Sequence, residues 1–364
     1  MINKKILALL AGGVLGLTVL AACGSSDDAS TDDAETCTET TTVKITLQWV
    51  VQAQFAGNFV AKDLGYYDQE CIDLQIQPGG PDINAVQLLL TGDTDLAGIQ
   101  FGSVLTSREA GADVITIGQV FERSAYSLVS FTDKGINTPD DIKGKSVGLW
   151  GGFVPSFSAM VGKHNLVQDK DFTTFNQGFD VLPLINEEAD MISAMRYNEY
   201  AQALAAAKGR ELTVFDFGAD GTSVMEDTIA TTRSWIDANP DVVVKYLKAT
   251  MRGWMYCRDN PGECVKIVLK NGSALQENYQ TWQMNEVNKL IWPSTYGLFS
   301  LSPEMFKQSA GILFETGVIK KAAVYEDVVD LSFRDQAAAE LASEDLKGSG
   351  FTAQTLDPAK LFGG

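Results

Sequence analysis

A chain of 364 residues with 45% hydrophobic side chains is long enough to bury more than one core, and a body of this size suits two lobes. Its 28 basic and 47 acidic residues leave a net charge of −19, a surface that repels nucleic acid and anionic lipid and disfavours a highly anionic ligand. One histidine and five cysteines with no CxxC cluster give a metal site little to stand on.

The N-terminus reads Lys4-Lys5, an apolar run over 6–20, then Leu20-Ala21-Ala22-Cys23. Basic, apolar and small-residue regions in that order form an export leader over 1–22. The rival reading, a membrane span, needs about 20 apolar residues, more than this run supplies. Cys23 directly after small residues resembles a bacterial lipobox, which implies cleavage before Cys23, its lipidation, and an anchor at the outer face of the cell membrane. Loss of Lys4 and Lys5 with the leader would take the net charge from −19 to −21. Residues 24–42, GSSDDASTDDAETCTETTT, are small and acidic and cannot bury enough surface to fold, so 23–42 is expected to be a lipidated, flexible tether.

With Cys23 lipidated, four cysteines remain, an even number suited to an oxidising compartment. Cys257 and Cys264 flank the turn-rich RDNPGE and are expected to pair. Cys37 and Cys71 each precede a predicted strand and can meet if those strands are neighbours.

From Val43 short β-branched runs alternate with helical ones. The pattern predicts strands over 43–49, 72–77, 96–99 and 114–120, and helices over 55–64, 84–91 and 103–110 ending at Gly65, Gly92 and Gly111. Such β-α-β repeats imply a mainly parallel sheet with helices on both faces. A second run opens at SLVSFT, continues through TPDDIKGKSVGLW and SFSAMVGKHN, and passes FDVLPLI, ADMISAMRYNEYAQALAAA and LTVFDF. After Thr222 long amphipathic helices follow, expected as cladding on the first lobe. The division is therefore 43–124 with 222–364 as lobe 1 and 125–221 as lobe 2, with crossings near 122–126 and 217–222 acting as a hinge. Gly79-Gly80 is too short for a phosphate loop and reads as turn glycine.

Trp49 to Asn58, WVVQAQFAGN, places rings and amides where a plain strand-to-helix turn needs only short polar residues. In open α/β sheets a ligand sits beyond the carboxyl ends of the strands. Trp49, Gln52, Gln54, Phe55 and Asn58 follow the first predicted strand, residues 79–82 the second, and Gln100, Phe101 and Ser103 the third. Trp150, Gly151, Gly152 and Phe153 follow a strand of the second lobe, and the paired glycines permit close backbone approach. Rings offer stacking area and amides both donors and acceptors for a heterocycle's edge. Each ring also has a packing alternative: Phe55 on an inner helix face, Trp49 capping the sheet, Phe101 in the core, Phe121 in hinge or core. His164 reads as a surface or packing residue.

The segments LQWVVQAQFAGNFVAKDLGYYD, IDLQI, LLLTGDTDLAGI, INTPDDIKGKSVGLWGG and ADMISAMRYNE, in that order and spacing, resemble the periplasmic-type solute-binding proteins that include thiamine pyrimidine synthase. The resemblance implies an α/β, periplasmic-binding-protein type II-like fold: two lobes about a Venus-flytrap cleft, working with an ABC permease and ATPase. Relatives carry sulfonates, nitrate, thiamine pyrimidine precursors or riboflavin. It also implies a ligand-contacting glutamate near Tyr197-Asn198-Glu199, where a solvated helix carboxylate is the alternative. Glu226 and Asp227 are further acidic candidates.

The synthases of that family hold pyridoxal phosphate on a lysine and consume a histidine; without gaps these fall at Ile99 and Ser103, which can do neither. Their cysteine-rich iron motif falls near 221–232, where this chain has no cysteine. The expectation is a binder without catalysis or cofactor. Pyrimidine binders usually show histidine where Phe55 stands, so a pyrimidine and a larger ring such as isoalloxazine both remain open. With no lysine or arginine at these strand ends, a flat uncharged or weakly cationic ring fits better than sulfonate or nitrate.

Overall fold

A computed structural model of the chain describes residues 37–362. The expected leader, Cys23 and the expected tether through residue 36 lie outside the described residues.

Among the described residues ten strands form two five-stranded sheets. The first holds β1 (Thr41–Thr46), β2 (Ile72–Gln77), β3 (Leu96–Ile99), β4 (Val114–Gln119) and β10 (Thr228–Thr232), in the order β2-β1-β3-β10-β4. The second holds β5 (Tyr126–Phe131), β6 (Ser146–Leu149), β7 (Thr173–Asn176), β8 (Met191–Met195) and β9 (Leu212–Asp216), in the order β7-β6-β8-β5-β9. β1 runs parallel to β2 and β3, and β6 runs parallel to β7 and β8. β10 and β5 run antiparallel to both of their neighbours. These two opposed strands are the ones that arrive from the other sheet. A strand entering by a direct crossing, not by a crossover helix, is free of the constraint that makes βαβ strands parallel.

Several boundaries differ from the sequence expectation. β1 starts at Thr41, not Val43, because Cys37 is bonded to Cys71 and Thr41 pairs in register with Ile72, so residues 37–42 belong to the folded body. β7 and β10 were not anticipated. β10, TIATT, is the strand by which the chain re-enters the first sheet before the helical cladding begins.

The helices that matter to the cleft are α1 (Ala56–Asp63), α2 (Ala85–Thr91), α3 (Phe101–Glu109), α4 (Val154–Lys163) and α5 (Glu199–Ala206). The cladding comprises α6 (Pro240–Asp259), α7 (Pro261–Asn271), α8 (Glu277–Ile291) and α9 (Pro303–Glu315). α1 and α6 touch backbone to side chain: a Cβ on Gly57 would meet the buried Trp254 ring at 2.4 Å, and one on Gly253 would meet the Gly57 carbonyl at 2.1 Å. Cys257 and Cys264 join α6 to α7 across Asn260. Among the described residues no helix is long and apolar enough to cross a membrane.

Two crossings, 120–125 and 217–227, connect the sheets. Glu226 on the second grips the first: one carboxyl oxygen accepts from the Ser124 hydroxyl and from the N–H groups of Ala125 at 2.9 Å and Tyr126 at 3.3 Å. Among the described residues its other oxygen has no partner, and burial pushes the carboxyl up to about 7.

Candidate ligand-binding site

The carboxyl ends of the parallel strands of both sheets meet around one cavity of about 300 Å³. On the first side, the chain beyond β1 is held by Leu47 N–H to the Gln77 carbonyl and Gly79 N–H to the Trp49 carbonyl, both 2.9 Å. Only glycine fits at 79, since a Cβ there would stand 2.0 Å from the Leu47 carbonyl. That approach brings Gly80 and Pro81 to the cavity wall beside Gln48 and Trp49.

Gln52 and Gln54 are buried and oriented from behind. Gln280 accepts the Ala53 N–H at 2.7 Å, and Gln54 donates to Asp227 at 2.7 Å while accepting from the Gln52 amide at 2.5 Å. Asp227 is fully buried, and that burial pushes its carboxyl up to about 8. The amide row therefore links the cavity to the acidic pair on the second crossing.

On the second side, Trp150 is fixed by its indole N–H donating to the Gly178 carbonyl at 2.9 Å. Phe153 lies on Tyr126 at 4.4 Å and Tyr126 on Phe217 at 4.6 Å, a stack that backs the Trp150 wall. Gly151 and Gly152 leave the wall open: a Cβ at 151 would meet nothing, and one at 152 would come only within 4.0 Å of the Gln100 amide from the opposite lobe. Tyr197, Asn198 and Glu199 follow β8 at the start of α5. Glu199 is 5% exposed and accepts from the Met195 N–H at 3.0 Å and the Asn198 amide at 2.7 Å. Burial outweighs those bonds and pushes its carboxyl up to about 7.

Of the residues expected at the site, Trp49, Gln52, Gln54, Gln100, Trp150, Gly151, Gly152, Phe153, Tyr197, Asn198 and Glu199 line this cavity. Phe55, Asn58 and Phe101 do not. The Phe55 ring is packed in the core of the first lobe, as the alternative reading had it. The Asn58 amide donates to the Tyr246 hydroxyl at 2.9 Å beneath α6. Phe101 is fully buried edge-on to Phe306 at 5.8 Å. All three lie on inner faces of helices that start at strand ends, so the strand-end rule placed their backbone near the cleft but not their side chains.

Gln48, Phe179 and Met195 line the cavity without having been anticipated. Phe179 stands 4.8 Å from Trp49 and 6.2 Å from Trp150. It follows β7, so the strand-end rule would have found it once TTFN was read as a strand. Among the described residues no lysine, arginine or histidine lines the cavity, and no group of three or more acidic, cysteine or histidine side chains could hold a metal ion. A hollow of about 340 Å³ lies beside the crossings, but its Arg196 is taken by Asp216 at 2.7 Å and the Ser124 carbonyl at 3.3 Å. It contains one ring, Phe121, and offers little stacking surface.

The chain is 24% identical over 354 residues to the riboflavin-binding protein RibY of Chloroflexus aurantiacus, covering 90% of this chain and 99% of that one. It is 23% identical over 277 residues to the formylaminopyrimidine-binding protein of Halalkalibacterium halodurans, covering 73% and 78%. A 4-amino-5-hydroxymethyl-2-methylpyrimidine phosphate synthase of Schizosaccharomyces pombe is 30% identical over 155 residues, 41% of this chain and 44% of that one. The periplasmic aliphatic sulphonate binding protein SsuA of Escherichia coli superposes with a TM-score of 0.62 at 18% identity, covering 79% of this chain and 91% of that one. This likeness identifies the two-lobe, periplasmic-binding-protein fold. The description NMT1/THI5 like matches residues 52–264, more than half of the chain, and the protein belongs to that family.

Proposed function

We propose that this chain is the extracytoplasmic solute-binding lipoprotein of an ABC importer, anchored through Cys23. It captures a flat, uncharged or weakly cationic heterocycle between its lobes and presents it to a permease driven by a separate ATPase. The observation that carries this reading is the cavity wall: rings from both lobes, a row of oriented amides, the buried Glu199, and no basic side chain. Such a wall favours stacking and N–H donation over binding of sulfonate or nitrate, whose charge would face a carboxylate unpaired. Two relatives named as binders of riboflavin and of a formylaminopyrimidine support the same class of guest. Each lobe supplies half of the contacts, so a guest touching both favours closure by its differential affinity for the closed state.

The synthase reading rests on the family's enzymes. It is disfavoured by Ile99 and Ser103 at the positions where those enzymes need lysine and histidine. The domain division given above (43–124 with 222–364, and 125–221) is the arrangement by which this function would operate.

Calorimetric titration of the mature chain with riboflavin, a formylaminopyrimidine, an alkanesulfonate and nitrate tests the proposal. One-site binding of a heterocycle, recovered unchanged, is expected. Binding of only the anions, or consumption of the protein's own side chains with pyridoxal phosphate and iron present, would overturn it.

A further inference from the structure

A second hollow, of about 390 Å³, opens beside the ligand cavity along the first lobe. The two share Gln48, Pro81 and Gln100 in their walls. Beyond those three it is bounded by the start of α2 and of α3, with Asp82, Asn84 and Ser103 as its polar side chains. The ring cavity alone, at about 300 Å³, is at the lower end of what small-molecule sites occupy, roughly 300–1,000 Å³.

The side chains at the junction have hydrogen-bonding capacity to spare. Gln48 accepts the Asp227 N–H through its carbonyl oxygen, at 3.2 Å, which leaves its NH₂ group to donate. Among the described residues, the side chains of Gln100, Ser103 and Asp82 make no hydrogen bond, and each is at least partly exposed. Amides and a hydroxyl offer donors and acceptors in close alternation, and a hydroxyl group on a ligand is itself both. Among the described residues no lysine or arginine lines this hollow either, and the one charged side chain there is Asp82. A phosphate here would lose water without gaining a counter-charge.

We propose that the guest is a two-part molecule: its ring lies between Trp49, Phe179 and Trp150, and an uncharged, polyhydroxylated chain passes Gln48 and Gln100 into the second hollow. This inference rests on the proposed function and narrows it, to a heterocycle bearing a polyol and not a bare pyrimidine or a phosphorylated one. Ser103 and Asn84 are assigned to the chain and not to the ring.

Three flavins with one ring system separate the parts: riboflavin with its hydroxylated chain, lumiflavin with a methyl in its place, and flavin mononucleotide with a phosphate at the chain's end. Titration of the mature chain is expected to show riboflavin binding at least tenfold more tightly than either of the others. Ser103→Val is expected to weaken riboflavin severalfold and leave lumiflavin unchanged, a pattern that a fold defect would not give. Equal affinity for riboflavin and lumiflavin overturns the chain site and leaves the proposed function standing, as does saturable binding of a formylaminopyrimidine with no flavin bound. Flavin mononucleotide binding as tightly as riboflavin overturns the exclusion of charge. Binding of neither ring class defeats the inference together with the function beneath it.

Discussion

The ring centroids of Trp49 and Phe179 lie 4.8 Å apart at an interplanar angle of 58°, although one residue follows β1 of the first sheet and the other follows β7 of the second. Trp49 is part-buried and Phe179 is 52% exposed, so the pair sits where the cavity meets solvent and joins the lobes across the cleft. Aromatic pairs contribute about 0.5–1.5 kcal/mol beyond their buried area. Phe179→Ala is therefore expected to weaken ligand binding by roughly 3- to 10-fold. Stopped-flow fluorescence is expected to place the loss in the dissociation rate, because a ring at the cavity mouth that stacks on a bound guest would slow its exit.

Gly152 faces the cavity with only Gln100 near its absent Cβ. Gly152→Leu fills ligand space without striking the core. Loss of saturable binding is expected with a melting temperature close to wild type, because the substitution is at an exposed position. Calorimetry and thermal unfolding on the same sample distinguish blockage from misfolding.

Glu199 titrates near neutrality because it is buried, with a carboxyl pushed up to about 7. A guest that donates N–H bonds favours the ionised form. Affinity is then expected to rise as pH goes from 6 to 8, by up to about tenfold per pH unit below 7. Glu199→Gln, which cannot ionise, should bind more weakly and show a flat profile.

The acids of the second crossing make an opposite prediction for stability. Burial holds the folded-state carboxyls of Glu226 and Asp227 above their unfolded values, at about 7 and about 8. Their contribution is complete below the ordinary carboxylate range and is lost as pH rises through 7 and 8. The melting temperature should fall between pH 6 and pH 9. Asp227 has φ of +55°, a conformation that asparagine tolerates, so Asp227→Asn keeps the backbone while removing the titration. Its shallower profile is expected to differ from wild type by on the order of 2 kcal/mol over that range. Equal slopes would contradict the assignment.

Much of the cleft was readable from residue types. Paired glycines beside Trp150 and Phe153, directly after SVGL, have no structural need of their own, and they form the open wall. Glycines after 64, 91 and 110 end helices with positive φ, as their positions required. The residues that local pattern does not place share a physical cause. Phe55, Asn58 and Phe101 sit in the first turns of helices, where a rotation of about 100° per residue decides between cleft and core and no short motif reports it. β7 and β10 are four and five residues long, and their side chains are mostly threonine and small groups without strict alternation. β10 also lies between β3 and β4, both far from it in sequence, so its place depends on tertiary pairing and not on local pattern. Missing β7 hid Phe179, and with it the ring that bridges the lobes.

The most direct test follows the quenching of tryptophan fluorescence on riboflavin or formylaminopyrimidine addition, in the wild-type mature chain and in Trp150→Ala. A saturable one-to-one signal that is weakened at least tenfold by Trp150→Ala, with the ligand recovered intact, is the predicted result. Undiminished binding by Trp150→Ala would contradict a guest held between the two lobes.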